Sequence, residues 1–109
     1  PRLRPLASDD GDRIERYTFK YTDLDFNRHV NSVRYIARIM DLWPLERYDR
    51  ESIASLDIAY HHECLFGQTA ELIVKTADGL TDRVDIVCEG RRAVSARLTW
   101  EPTKNDNKG

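Results

Sequence analysis

The chain lacks most of the features that announce a function class outright. Its 109 residues contain two cysteines, Cys64 and Cys88, which form no C-x-x-C pair and give no clear zinc pattern. They read as free thiols of an intracellular chain, here expected to be cytoplasmic. No apolar run approaches the ~20 residues of a membrane span, so no membrane is expected. Residues 1–12 lack the apolar core of a signal peptide. There is no G-x-G-x-x-G and no P-loop, and no cofactor is expected. Neither charge sign dominates: 17 Lys and Arg against 19 Asp and Glu leave a net charge of −2. That argues against nucleic acid or an anionic membrane as the main partner. With 33% charged and 40% hydrophobic residues, the composition suits one small soluble globular domain.

Residues 1–12 hold two prolines and a glycine without periodicity and read as a linker or arm. From Arg13 to Lys20, Tyr17 and Phe19 fall on one face and Arg16, Thr18 and Lys20 on the other, which predicts a strand. A polar stretch, Asp23 to Ser32, then runs into a helix ending at Pro44, whose ring lacks a donor and disfavours helix at residue 43. Val33, Ile36, Ala37 and Met40 recur at steps of three and four, with Ile39 and Trp43 widening the face, and Arg34, Arg38 and Asp41 on the wetter side. Asn31 or Ser32 is the expected N-cap. Glu46–Ser52 has room for one short helical turn.

The period then changes to two. Leu56, Ile58 and Tyr60 alternate with Asp57, Ala59 and His61, and Ala70, Leu72 and Val74 with Glu71, Ile73 and Lys75. After Asp78-Gly79 come Val84, Ile86 and Cys88; after Glu89-Gly90 come Val94, Ala96, Leu98 and Trp100. Four successive strands joined by short turns predict an antiparallel sheet. Pro102 stops the last strand, and 103–109 reads as a disordered tail. The order strand, helix, four strands makes this an α+β domain over residues 13–102, with the sheet curled around one central helix. One helix gives limited core and the edge strands stay open, so pairing with a second such unit is expected.

The polar stretch places Asn27, His29 and Asn31 beside a helix N-terminus, where free N–H groups and the helix dipole favour a carbonyl oxygen or an anion. Asp25-x-Asn27-x-His29-x-Asn31, followed by the helix and by Tyr60-x-x-Glu63-Cys64, resembles the catalytic half of the acyl-acyl-carrier-protein thioesterases. The resemblance covers residues 13–101. It implies a hotdog fold and hydrolysis of the thioester between a fatty acyl chain and its carrier protein. Asn27 and His29 match the family's catalytic asparagine and histidine. Asp25 matches a supporting aspartate, and Glu63 and Cys64 match the pair given the base and nucleophile roles. Members of the family usually carry two tandem hotdog halves, the first holding most of the acyl pocket. This chain matches the second, so its expected partner is a second copy or a second hotdog domain.

Thioester hydrolysis needs a polarised carbonyl, an activated nucleophile and a carrier for one proton. His29 is the proton carrier, its other role being a cap at the helix start. Asn27 can offer its amide to the developing oxyanion, or simply serve a turn. Asp25 can hold the His29 tautomer or accept turn N–H groups. Either Cys64 attacks as a thiolate or Glu63 activates water, and Glu63 is favoured. In a regular strand only one of these neighbours faces the site, unless the chain bends near Leu65-Phe66-Gly67. His61-His62-Glu63-Cys64 invites a metal reading, but adjacent strand residues do not converge on one ion, so no metal is expected. Arg91-Arg92 is either solvated charge or a contact for an acidic carrier protein. Two alternatives stand beside the carrier-protein thioesterase: a self-associating hotdog thioesterase acting on acyl-coenzyme A, and a non-catalytic acyl-binding or assembly module.

Overall fold

A computed structural model describes residues 3–103. The sequence's alternating stretches become strands β1 (Arg13–Thr18), β2 (Glu51–Tyr60), β3 (Thr69–Asp78), β4 (Thr81–Cys88) and β5 (Arg91–Pro102). Between β1 and β2 lie helices α1 (Ser32–Met40) and α2 (Leu45–Arg50). The strands make one five-stranded antiparallel sheet in the order β1-β3-β4-β5-β2. This is the α+β hotdog architecture.

Tight turns join β3 to β4 and β4 to β5. Glu89 and Gly90, both at positive φ (52° and 74°), form the second one, as a two-residue hairpin turn with right-handed strand twist demands. The expectation of four strands in simple succession fails at β2. Residues 61–68 are a long connection, not a turn, and they carry the chain from the β2 edge to β3, beside β1 on the other side of the sheet. That crossover matters because it contains Glu63 and Cys64.

The core lies between α1 and the inner sheet face. Tyr35, Ile39 and Leu42 pack with Phe19, Leu72, Val74, Val84, Ile86, Val94, Ala96 and Leu98. Each such large side chain contributes roughly 1.5–3 kcal/mol by leaving water. The helix is therefore rotated from expectation. Val33 is 61% exposed and Met40 36%, while Ile36 and Ala37 are only half-buried. Two apolar stripes at steps of three and four coexist on α1, and periodicity does not say which one meets the sheet. The Tyr35 ring, edge-on to Phe19 at 5.6 Å, occupies the buried one. The helix also stops at Met40, before Pro44, and Pro44 instead caps α2.

Residues 3–12 lie against the outer sheet face. Asp85 is buried there, accepting from the Leu6 amide at 2.9 Å and facing Arg83 and Arg92 at 3.4 and 3.7 Å. Arg83 and Arg92 donate to the carbonyls of Arg4 and Leu3. Gly11 passes so close that a Cβ there would stand 2.7 Å from Ile73 Cγ2. The arm is thus part of the packed domain. Residues 1–2 of that arm and 104–109 of the expected tail lie outside the described residues.

Candidate active site

Residues 24–30 form a closed loop whose shape is set by its own polar side chains. Leu24 and Val30 bridge as an antiparallel pair, and the Asp25 amide donates to the His29 carbonyl at 2.7 Å. Asp25 Oδ1 accepts from the amides of Asn27 at 2.8 Å and His29 at 3.0 Å. Arg28 takes a positive φ of 69°, the left-handed position that completes the turn. Asn31 then caps α1, its Oδ1 accepting from the Val33 amide at 3.0 Å. Of the two roles open to Asp25, the geometry uses the turn role: the carboxylate holds backbone amides. Asn27 and His29 stand exposed on the loop.

The crossover brings in the second half of the motif. The amides of His61 and His62 both reach the Ala93 carbonyl, at 2.7 and 3.3 Å, where a β-bulge interrupts the β4–β5 register. The Cys64 amide donates to the Tyr35 hydroxyl at 2.8 Å, and Gly67, at φ 81°, donates to the Phe19 carbonyl at 2.9 Å. Glu63 consequently points outward and Cys64 inward. His29 Nδ1 lies 3.3 Å from Glu63 Oε2, with both side chains about half exposed, at 53% and 54%. Val30, Ser32, Tyr35, Tyr60 and His62 line the cleft beside Glu63, of about 500 Å³. A second, more apolar cleft of about 760 Å³, with Tyr21, Leu24, Phe26 and Phe66 in its wall, flanks the same loop.

Cys64 requires a correction. It is fully buried and bonded to Cys88, with Cα atoms 6.0 Å apart. Neither cysteine is the free thiol expected from sequence. A sulfur in a disulfide has no thiolate to offer, so Cys64 as it stands here is a tether and not a nucleophile. The pairing had no sequence signal, because only the tertiary crossover sets residue 64 against β4. The adjacent His61–Cys64 side chains diverge: His61 Nε2 meets Ser95 Oγ at 3.0 Å, and His62 Nε2 sits 3.5 Å from Arg91. Arg92 is committed to Leu3 and Asp85, which leaves Arg91 alone of that pair beside the cleft.

Two supporting residues escaped sequence reasoning. Tyr35 was masked by the alternative helix stripe, although it stands four residues before Ile39 and seven before Leu42. Its burial pushes the hydroxyl pKa up; the Cys64 amide opposes this and the Glu63 carboxylate adds to it. Tyr35 therefore stays a neutral acceptor for the Cys64 amide. Asp23, buried at the base of the loop, had no local signal because its partners Tyr17 and Arg34 come from β1 and α1.

A paired histidine and glutamate, a capped loop at a helix start and a hotdog sheet converge on one comparison. The family model described as the acyl-ACP thioesterase C-terminal domain matches residues 6–102. The chain belongs to the acyl-ACP thioesterase family. Among curated members, it is 28% identical over 97 residues to the chloroplastic dodecanoyl-acyl-carrier-protein hydrolase of Cinnamomum camphora, covering 83% of this chain and 25% of that protein. An acyl-ACP thioesterase structure from Bacteroides thetaiotaomicron superposes with a TM-score of 0.82 at 29% identity, over 93% of this chain and 41% of that one. The 12:0-ACP thioesterase of Umbellularia californica gives a TM-score of 0.84 at 25% identity, over 94% and 40%. The chain thus spans about a quarter of that curated relative and two fifths of each of these two solved acyl-ACP thioesterases.

Proposed function

We propose that this chain supplies the hydrolytic centre of an acyl-ACP thioesterase, releasing a free fatty acid from its carrier-protein thioester. The observation that carries this is the His29–Glu63 pair, 3.3 Å apart near the start of α1. Glu63, assisted by His29, takes a proton from water as the oxygen attacks the acyl carbonyl carbon. Asn27 offers its amide to the developing oxyanion, a contribution of roughly 2.7–4 kcal/mol in sites where such a donor has been removed. Glu63 passes that proton to His29 through their 3.3 Å contact; the tetrahedral species then breaks its C–S bond, and the leaving thiolate takes the proton from His29. Asp25 serves by shaping the loop. The disulfide at Cys64 supports water, and not a cysteine thiolate, as nucleophile.

The working unit we propose pairs this domain with a second hotdog, either another copy or an adjoining half. The exposed Val33 and Met40 stripe, the half-exposed Tyr60 and the open β2 edge support this reading. The length of the relatives supports it too.

Release of free fatty acid from acyl-carrier-protein and acyl-coenzyme A substrates tests the proposal. His29→Ala, Glu63→Gln and Asn27→Ala should each lower turnover by roughly 10²-fold or more. Unchanged turnover in His29→Ala and Asn27→Ala would remove it. A preference for coenzyme A would replace the carrier-protein substrate, and ligand-induced stabilisation without turnover would favour the binding-module alternative.

A further inference from the structure

Asp23 is wholly buried. A carboxylate out of water is costly unless its oxygens are paired. Here they are. Oδ2 accepts from the Tyr17 hydroxyl at 2.8 Å and the Lys20 amide at 2.9 Å, and Oδ1 accepts from Arg34 Nε at 2.9 Å. The Asp23 carbonyl also accepts the Asn31 amide at 2.9 Å. One residue therefore ties β1, the turn before the loop, the N-cap and the first turn of α1.

That loop is the one bearing Asn27 and His29. Its internal shape is local, set by Asp25 and the Leu24–Val30 bridge. Its placement against α1, and so against Tyr35 and the crossover that delivers Glu63, runs through Asp23. Tyr17 is itself fixed, with the Arg38 guanidinium 4.5 Å over its ring and Phe19 edge-on at 5.3 Å. Burial alone would raise the Asp23 pKa, but the Lys20 amide, Tyr17 hydroxyl and Arg34 guanidinium outweigh it, and the pKa is lowered. The carboxylate stays charged at neutral pH.

We propose that Asp23 is the positioning residue for His29. The Tyr17–Asp23–Arg34 clamp holds the Asn27–His29 loop at the distance from Glu63 that hydrolysis uses. The catalytic part of this inference rests on the thioesterase reading above; the placement of the loop does not.

The test compares Asp23→Asn and Arg34→Gln in the full chain, the second cutting only the helix limb of the clamp. Asp82→Asn is the control: a second buried carboxylate, held by Arg47, Thr76 and Trp100 and making no contact with the loop. Two readouts are used. The first is NMR of the His29 ring, whose response to Glu63→Gln reports their contact, with amide exchange at Asn27 and His29. The second is kcat and KM for the substrates above.

Asp23→Asn should abolish the His29 response to Glu63→Gln and speed loop exchange about tenfold. It should lower kcat by roughly 10²-fold, the cost of an ångström-scale misplacement, while KM stays within about twofold. Arg34→Gln should follow in the same direction, and it decides the matter if Asp23→Asn does not fold. Asp82→Asn should lower the melting temperature and leave the His29 signal alone. An unchanged ring response in both clamp variants overturns the proposal. So does a displaced loop with unchanged kcat, or a kcat loss that Asp82→Asn reproduces at equal loss of stability. Absence of turnover in the wild-type chain, both alone and with a second hotdog half added, would count against the thioesterase reading, while the NMR arm still decides whether Asp23 places the loop.

Discussion

Tyr35→Phe removes one oxygen from the centre of the molecule and should be felt in two places. The ring can stay, so the edge-on contact with Phe19 and the packing around Ile39 survive. What is lost is the acceptor 2.8 Å from the buried Cys64 amide. A buried donor left without a partner costs about 1–3 kcal/mol. In a domain of this size each kcal/mol lowers Tm by roughly 4–8 °C. A drop of about 4–24 °C in a thermal melt is therefore expected, and it should not vary with pH near neutrality because the wild-type hydroxyl stays neutral there. Amide exchange at Cys64 should accelerate more than exchange in β3. Turnover should fall further than stability implies, because Cys64 adjoins Glu63 and the freed crossover no longer holds Glu63 against His29. A Tm within about 2 °C of wild type, with Cys64 exchange unaltered, would refute the reasoning: it would mean that this hydrogen bond does not form or is replaced by water.

Reduction of the disulfide, or Cys88→Ser, should cost roughly 3 kcal/mol, since the bond closes a loop with a sequence separation of 24; thiol titration of the unreduced, denatured chain should find no free cysteine. Gly11→Ala should destabilise by about 1–3 kcal/mol in urea unfolding, because its Cβ meets Ile73 Cγ2 and the Val74 carbonyl, while Gly79→Ala, which meets nothing within 4 Å, serves as the comparison. The lowered Asp23 pKa makes its contribution to stability complete above the ordinary carboxylate value of 3.8 and lost as pH falls through the folded value. Melts of wild type and Asp23→Asn should accordingly differ most near neutral pH and converge as pH falls below the ordinary carboxylate value and through the lowered folded one.

The element order and the strand positions were legible in the chain's own periodicity. So was the loop bearing Asn27 and His29, because short polar side chains at close spacing specify their turns locally. Asp25 capping two amides within four residues is a local event, and so is the Asn31 cap on α1. The side chain that faces outward at the 63–64 step was legible only as a choice between two, since alternation separates neighbours without naming the inner one.

What sequence left undecided were relations between distant segments. Two apolar stripes run along α1, and only the sheet beneath could select Tyr35 and Ile39 over Val33 and Met40. The arm acquires a place because Asp85, on the outer face of β4, needs partners once covered. The Cys64–Cys88 bond and the Asp23–Arg34 pair each join residues with no regular spacing between them. The His29–Glu63 contact is the same kind of fact. Local chemistry determined that a capped loop would present a histidine at a helix start. The crossover of residues 61–68, passing from one side of the sheet toward the other, decided which carboxylate that histidine would meet. Backbone propensity acts over a few residues, and only a packed core holds a loop from one half of the chain within hydrogen-bonding reach of a loop from the other.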